Sequence, residues 1–321
     1  GYKLAYRPQS EAKMNRRLLL QSAIAAPMIA ATAAKADGHG GKTAFVLVHG
    51  SWHGAWCWGL VEPYLQRAGH MTLAIDLPGH GLNARNPAAF AACPVDPAAL
   101  AGEPSALAGI PVGDFAAAVQ DAAMRARTMG ADRVIAVGHS MGGVPVTFAA
   151  ATRPDLFDDI VYLAALAPTP GKPAGAYLGS EDQSQNSRVG DLIVADPAQI
   201  GALRMNPRST DAAYLAGAKQ ALAADLSDGV FAQLMHMLTP DAPVAMYGQT
   251  VEFADGFAAL NRTFIRCTGD VIVVASLPEA IVADLNAAFP GAPTALVDLD
   301  ASHEAIVSAP EALAAALNAT V

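Results

Sequence analysis

From residue 43 onward, short runs of β-branched and apolar residues alternate with stretches whose apolar positions recur at helical spacing. The pattern predicts strands over 43–48, 71–76, 134–137 and 160–163, with helices near 58–68, 114–129 and 141–152 between them. A Pro- and Ala-rich stretch at about 83–112 reads as a long loop with a helical turn. Strand alternating with helix predicts an α/β fold, a mostly parallel doubly wound sheet covered on both faces.

The rhythm breaks after the segment ending near Ala167. Between about 168 and 261 no comparable strand is expected, and the helical candidates are 191–203, 210–226 and 231–238. It resumes with strands over 263–267 and 294–299 and helices over 278–288 and 311–318. An insertion into a regular α/β chain sits over the carboxyl edge of the sheet, where ligands bind. Residues 168–261 are therefore expected to form a helical cap on a single domain spanning 37–321.

The first 36 residues read as a leader. Met14 is followed by a basic start, Asn15-Arg16-Arg17, an apolar run from Leu18 to about Ala34, and the small-residue pattern Ala34-Lys35-Ala36. That is the layout of a signal peptide, too short and alanine-rich for a membrane span. The paired arginines before Leu18-Leu19-Leu20 suggest twin-arginine export, and residues 1–13 read as a tag or upstream sequence. The expectation is an exported protein, periplasmic or secreted, starting near Asp37 and without stable membrane insertion after processing.

With 53% hydrophobic and only 15% charged residues, the chain is rich enough in apolar side chains for one large core. The net charge of −9 argues against nucleic acid as a partner. The three cysteines form no metal-binding pair pattern; Cys267 reads as core, and a Cys57–Cys93 bridge stays open. There is no H-E-x-x-H and no Gly-rich Lys-Ser/Thr loop, so neither a metal nor a nucleotide cofactor is expected.

The chemistry concentrates at Gly138-His139-Ser140-Met141-Gly142, set between a strand and a helix with Gly143 following. A strand-to-helix turn this tight puts its serine in a strained conformation with the hydroxyl above the sheet, and small neighbours let adjacent chain pass close. A serine hydroxyl needs a base to take its proton. For this architecture the order is Ser, then an acid, then His, each at a strand's carboxyl end. His303, after the last expected strand and before the final helix, fits the base; Asp270, after the penultimate one, fits the acid. Asp298 and Asp300 are rivals by proximity, but they share a strand end with His303. Charge developing on a substrate oxygen needs fixed donors: the Met141 amide at the start of the helix, and the Ser51 amide in the loop His49-Gly50-Ser51-Trp52. Trp52, His53 and Trp56 are candidates for pocket lining or for plain packing.

These motifs resemble the α/β-hydrolase superfamily. They are the run from Phe45 to Trp56, the turn from Asp76 to Gly81, the segment Gly138 to Gly143, Cys267 to Asp270, and His303. Within it they are similar to the branch of plant methylesterases, hydroxynitrile lyases and bacterial pyrethroid-hydrolase-like esterases. The resemblance covers about 43–321, more weakly in the cap. It implies a triad of Ser140, Asp270 and His303 with the Ser51 and Met141 amides as oxyanion hole. The lyases of this branch carry Thr after the first-loop His and Lys after the catalytic His. Here those positions are Gly50 and Glu304, and a carboxylate there would repel cyanide.

The expected function is hydrolysis of a hydrophobic small-molecule ester through an acyl-enzyme. A lactonase or amidase would use the same residues, with hydroxynitrile lyase and non-catalytic receptor as further alternatives. A carboxylate nucleophile, as dehalogenation requires, is absent from the serine's position. Met205, Met235, Met237, Met246, Phe231 and Phe257 in the cap fit either an apolar pocket or cap packing.

Overall fold

The computed structural model describes residues 41–321, and the expected leader lies outside them. Six parallel strands form the central sheet in the order β2-β1-β3-β4-β7-β8. They are β1 (Thr43–Val48), β2 (Met71–Ile75), β3 (Arg133–His139), β4 (Asp159–Leu163), β7 (Asn261–Cys267) and β8 (Ala295–Leu299). A second, two-stranded antiparallel sheet joins β5 (Ala202–Arg204) to β6 (Asp241–Pro243).

The sheet is apolar on both faces because its strands are buried on both. Ala44, Val46 and Val48 of β1, with Val134 and Ala136 of β3, face one core; Phe45, Leu47, Ile135 and Val137 face the other. Against the first face pack the helices Val112–Thr128, Gly143–Thr152 and Ser276–Ala288. Against the second pack Trp58, Val61 and Leu65 near the start and the helix Pro310–Asn318 at the end. Gly143–Thr152 is buried almost all round, as an apolar helix trapped between layers must be. The expected strands and sheet helices are all present, most with ends displaced by one or two residues. The expected helix at 58–68 is instead a 3-10 segment, Ala55–Leu60, followed by Glu62–Arg67, whose Pro63 supports a fresh start.

The inserted segment departs further from expectation. The helix expected over 191–203 is broken into a 3-10 turn Val189–Leu192, a short helix Pro197–Ile200 and β5. Asp196 caps a new start by accepting from the Ala198 amide, and Gly201 ends it with a φ of +76° that favours glycine. The small sheet was not legible because its two strands are far apart in the chain, and a buried fork joins their ends. Arg204 reaches both carboxylate oxygens of Asp241, at 2.6 and 2.7 Å. The two further helices, Ala212–Leu222 and Asp228–Met237, start at Asp211 and Ser227, whose side chains accept from amides of the first turn.

Candidate active site

The segment after β3 turns so sharply that Ser140 has a φ of +53°, in the left-handed region that ordinary residues avoid. The surrounding glycines are required by contact. A Cβ on Gly138 would sit 2.7 Å from the Gly142 carbonyl oxygen, and one on Gly142 would sit 2.5 Å from that of His49. A Cβ on Gly50 would lie 2.8 Å from the Ser140 Cβ. The loop after β1 thus rests directly on the Ser140 turn, and only glycines permit the approach.

Three distant segments meet at the Ser140 hydroxyl. It donates to His303 Nε2 at 3.0 Å, and His303 Nδ1–H donates to Asp270 Oδ2 at 2.7 Å. The other Asp270 oxygen accepts from the amides of Ile272 and Val273, at 2.7 and 3.0 Å. Burial works against a charged His303, but the Asp270 carboxylate, with a smaller contribution from Glu304, raises the imidazole above its ordinary value. The rivals are placed elsewhere: Asp298 pairs with Arg266, and the Asp300 carboxylate faces Thr268.

Cap residues hold this constellation in place. Asp225 accepts from the amide and hydroxyl of Ser302, fixing the His303 loop. Gln183 donates to the Ile272 carbonyl and accepts from the Val274 amide, fixing the Asp270 loop. Trp52, itself at a φ of +65°, donates its indole N–H to the Leu203 carbonyl and accepts at its own carbonyl from Thr239.

A cavity of about 340 Å³ opens beside Ser140. Ser51 and Trp52 line it from the β1 loop, with Leu178, Val189, Leu203 and Tyr247 from the cap. The Tyr247 hydroxyl lies 3.4 Å from the Ser51 Oγ. The volume and apolar lining suit a small organic molecule. Larger grooves exist on the surface, but they lie away from Ser140.

Two of the three proposed lining residues are elsewhere. His53, on the β1 loop, is buried and outside the cavity, and Trp56 stacks on it, facing a separate groove with Leu60 and Met237. The cap methionines and phenylalanines also do not line the cavity. Met205, Met235, Met246, Phe231 and Phe257 are core, while Met237 is half exposed, because positions two apart on a helix face opposite ways. Cys57 is buried and Cys93 exposed, and they are not bonded; Cys267 is core.

Sequence reasoning missed a cluster of buried imidazoles beneath the site. The Leu77 amide donates to His49 Nε2, so His49 carries its proton on Nδ1 and donates it to the Gly50 carbonyl, 2.8 Å away. His139 Nε2–H donates to the His303 carbonyl at 3.0 Å. His80 Nδ1–H donates to the Pro78 carbonyl. Burial keeps these rings neutral, pushing His49 well below its ordinary value, His80 down to about 4 and His139 to about 3. Beside them lies Glu304, fully buried, with its carboxylate 3.3 Å from His53 Nε2. The only sequence signal was its position next to His303.

The chain is similar in sequence and fold to several known proteins. A family model described as "Alpha/beta hydrolase family" matches residues 45–316. Methylesterase 7 of Arabidopsis thaliana is 28% identical over 277 residues, covering 85% of this chain and 94% of that protein. A pyrethroid hydrolase of Sphingobium wenxiniae is 27% identical over 282 residues, 86% of each chain. Among solved structures, a pyrethroid hydrolase from Sphingobium faniae superimposes with a TM-score of 0.66 at 22% identity, covering 86% of this chain and 96% of that one.

Proposed function

The chain belongs to the alpha/beta hydrolase family, and we propose that it is a serine esterase that cleaves a hydrophobic small-molecule carboxylic ester through an acyl-enzyme on Ser140. The observation that carries this reading is the unbroken line from the Ser140 hydroxyl through His303 to Asp270 at 3.0 and 2.7 Å, beside the cavity. With the ester seated there, His303 takes the Ser140 proton as the oxygen attacks the carbonyl carbon. Asp270 holds the ring in the right tautomer and offsets its charge. The Ser51 and Met141 amides receive the oxyanion. His303 then gives its proton to the departing alcohol. A water, activated in turn by His303, releases the acid and restores Ser140.

The similar proteins support the substrate class, since their names are those of methylesterases and a pyrethroid hydrolase. Gly50 and Glu304, at the positions where the resembling lyases carry Thr and Lys, speak for hydrolysis over cyanide release. Lactones and amides present the same carbonyl to the same residues, so the assay must include them.

The test is covalent labelling with a fluorophosphonate probe, followed by a screen of p-nitrophenyl esters of rising acyl length beside methyl esters, a lactone and an anilide. Labelling of the wild type, none of Ser140→Ala, and turnover led by esters would support the proposal. An unlabelled wild type would sink it. We also infer export from the reading of residues 14–36; N-terminal mass analysis of the protein from its native host should find a start near Asp37.

A further inference from the structure

Glu304 and His53 face each other in the interior immediately behind the reacting groups, with about 1% of either side chain exposed. A buried carboxylate is costly unless something compensates its charge. Burial alone would push Glu304 up, yet the imidazoles of His53, His139 and His303 bring it down to about 2. Burial would likewise lower His53, but the Glu304 carboxylate raises it. The pair sits at ion-pair distance, though its atoms are not aligned as a hydrogen bond.

What the pair connects matters more than its charge. On the far side of its ring, His53 Nδ1–H donates to the Ser51 carbonyl at 2.6 Å. Ser51 is the residue whose amide serves the oxyanion, and the preceding peptide is already fixed by His49 through the Gly50 carbonyl. Glu304 follows His303 directly and lies on the same loop, whose main chain is also tied to the nucleophile turn by His139. Resting on the serine-esterase reading above, we propose that Glu304 and His53 are positioning residues for the reaction at Ser140. The buried pair clamps the backbone of Ser51 to the loop that carries His303, so that oxyanion donor and base are held at a fixed separation.

The groups facing Glu304 are His53 from the β1 loop, Cys57 from the following 3-10 segment, His139 from the end of β3, and His303 on its own loop. Cys57 is held as a neutral thiol by burial and by this carboxylate. The Glu304 charge also helps to keep His303 raised, after the larger contribution of Asp270. A clamp of this kind acts on the transition state more than on substrate binding, because the ester gains the oxyanion contact fully only as charge develops.

The test uses the full chain carrying Glu304→Gln, His53→Asn and the two together. The first keeps shape and removes charge; the second keeps a donor of similar reach toward the Ser51 carbonyl and breaks the link to Glu304. Each single change should lower kcat about 10- to 100-fold, the scale set by slight misplacement of reacting groups, with KM altered less than about threefold. The double variant should be no worse than the poorer single one, because both break the same link. Glu304→Gln should also move the acid limb of the kcat/KM profile to lower pH, which a loss of packing alone would not do. If Glu304→Gln is insoluble, His53→Asn reads the same link from its other end. Undiminished kcat in a soluble variant, or fully additive losses in the double one, would overturn the clamp while Ser140 labelling stands. A wild type that takes no label would instead remove the esterase reading beneath it.

Discussion

Asp270 meets His303 at 2.7 Å through one carboxylate oxygen while the other is occupied by the Ile272 and Val273 amides. The acid therefore has no freedom to turn away from the imidazole, and the ring is held with Nε2 toward Ser140. Asp270→Asn keeps the shape but presents the wrong charge and favours the wrong tautomer. It should lower kcat on the order of 1,000- to 10,000-fold.

The same relationship sets the acid limb of the pH profile. His303 must be neutral to accept the Ser140 proton, and its ionisation lies above the ordinary value of 6.5. Activity should thus fall as pH drops through a value above that of a free imidazole. In Asp270→Asn the limb should shift to lower pH on the residual activity. A limb at or below the ordinary histidine value in the wild type would contradict the arrangement.

Gly142 is the tightest of the contacts between the β1 loop and the Ser140 turn. Gly142→Ala must push the His49 carbonyl away, which costs about 1–3 kcal/mol of stability as overpacking does. Activity should fall at least about tenfold, because Ser51 moves relative to Ser140. Urea unfolding and ester hydrolysis measured on the same preparation check both halves.

Stability should decline on the acid side of neutrality. His49, His80 and His139 are neutral when folded but titrate near 6.5 when unfolded. Below that pH the unfolded chain binds protons that the folded one refuses, so unfolding becomes easier as pH falls. Glu304 adds to this at lower pH: its contribution is full above 4.5 and is lost as pH falls toward about 2. His53 and His303 act oppositely, contributing fully below 6.5 and losing that contribution as pH rises through their raised values. The urea midpoint should peak near neutral pH; a flat midpoint from about pH 6.5 to 4 would count against the buried neutral cluster.

The cavity predicts where selectivity can be changed. Leu178 lines it from the helix Gly175–Leu178. Leu178→Trp should cut kcat/KM for long-chain p-nitrophenyl esters about tenfold more than for the acetate, on the scale of a few methylenes of lost pocket. Equal loss across the series would place the acyl chain elsewhere.

The cysteines give a simple check of the fold. Cys93 is exposed, whereas Cys57 and Cys267 are buried, and all three are free. A disulfide-exchange reagent should modify one thiol rapidly in the native protein and all three after denaturation. Rapid modification of two would contradict the packing around β7 or the 3-10 segment.

The sheet and the segments that bring Ser140, His303 and Asp270 together were legible in the sequence because their signals are local. Short, nearly continuous apolar runs of strand length mark β1, β3, β4 and β7 wherever they lie in space. The Ser140 turn announces itself through glycines that close contact demands. His303 and Asp270 follow from chain order once the strands are counted. The interior of the cap, the cavity wall and the cluster under the site were decided by tertiary structure. Arg204 with Asp241, and Glu304 with His53, are pairs distant in sequence whose partners only the folded chain supplies. For the same reason the choice between pocket and packing for the cap methionines was open in the sequence, and the fold makes Met205, Met235 and Met246 core. A side chain's type states what it can do, whereas its neighbours, fixed by packing, decide whether a carboxylate meets water, an arginine or a buried imidazole.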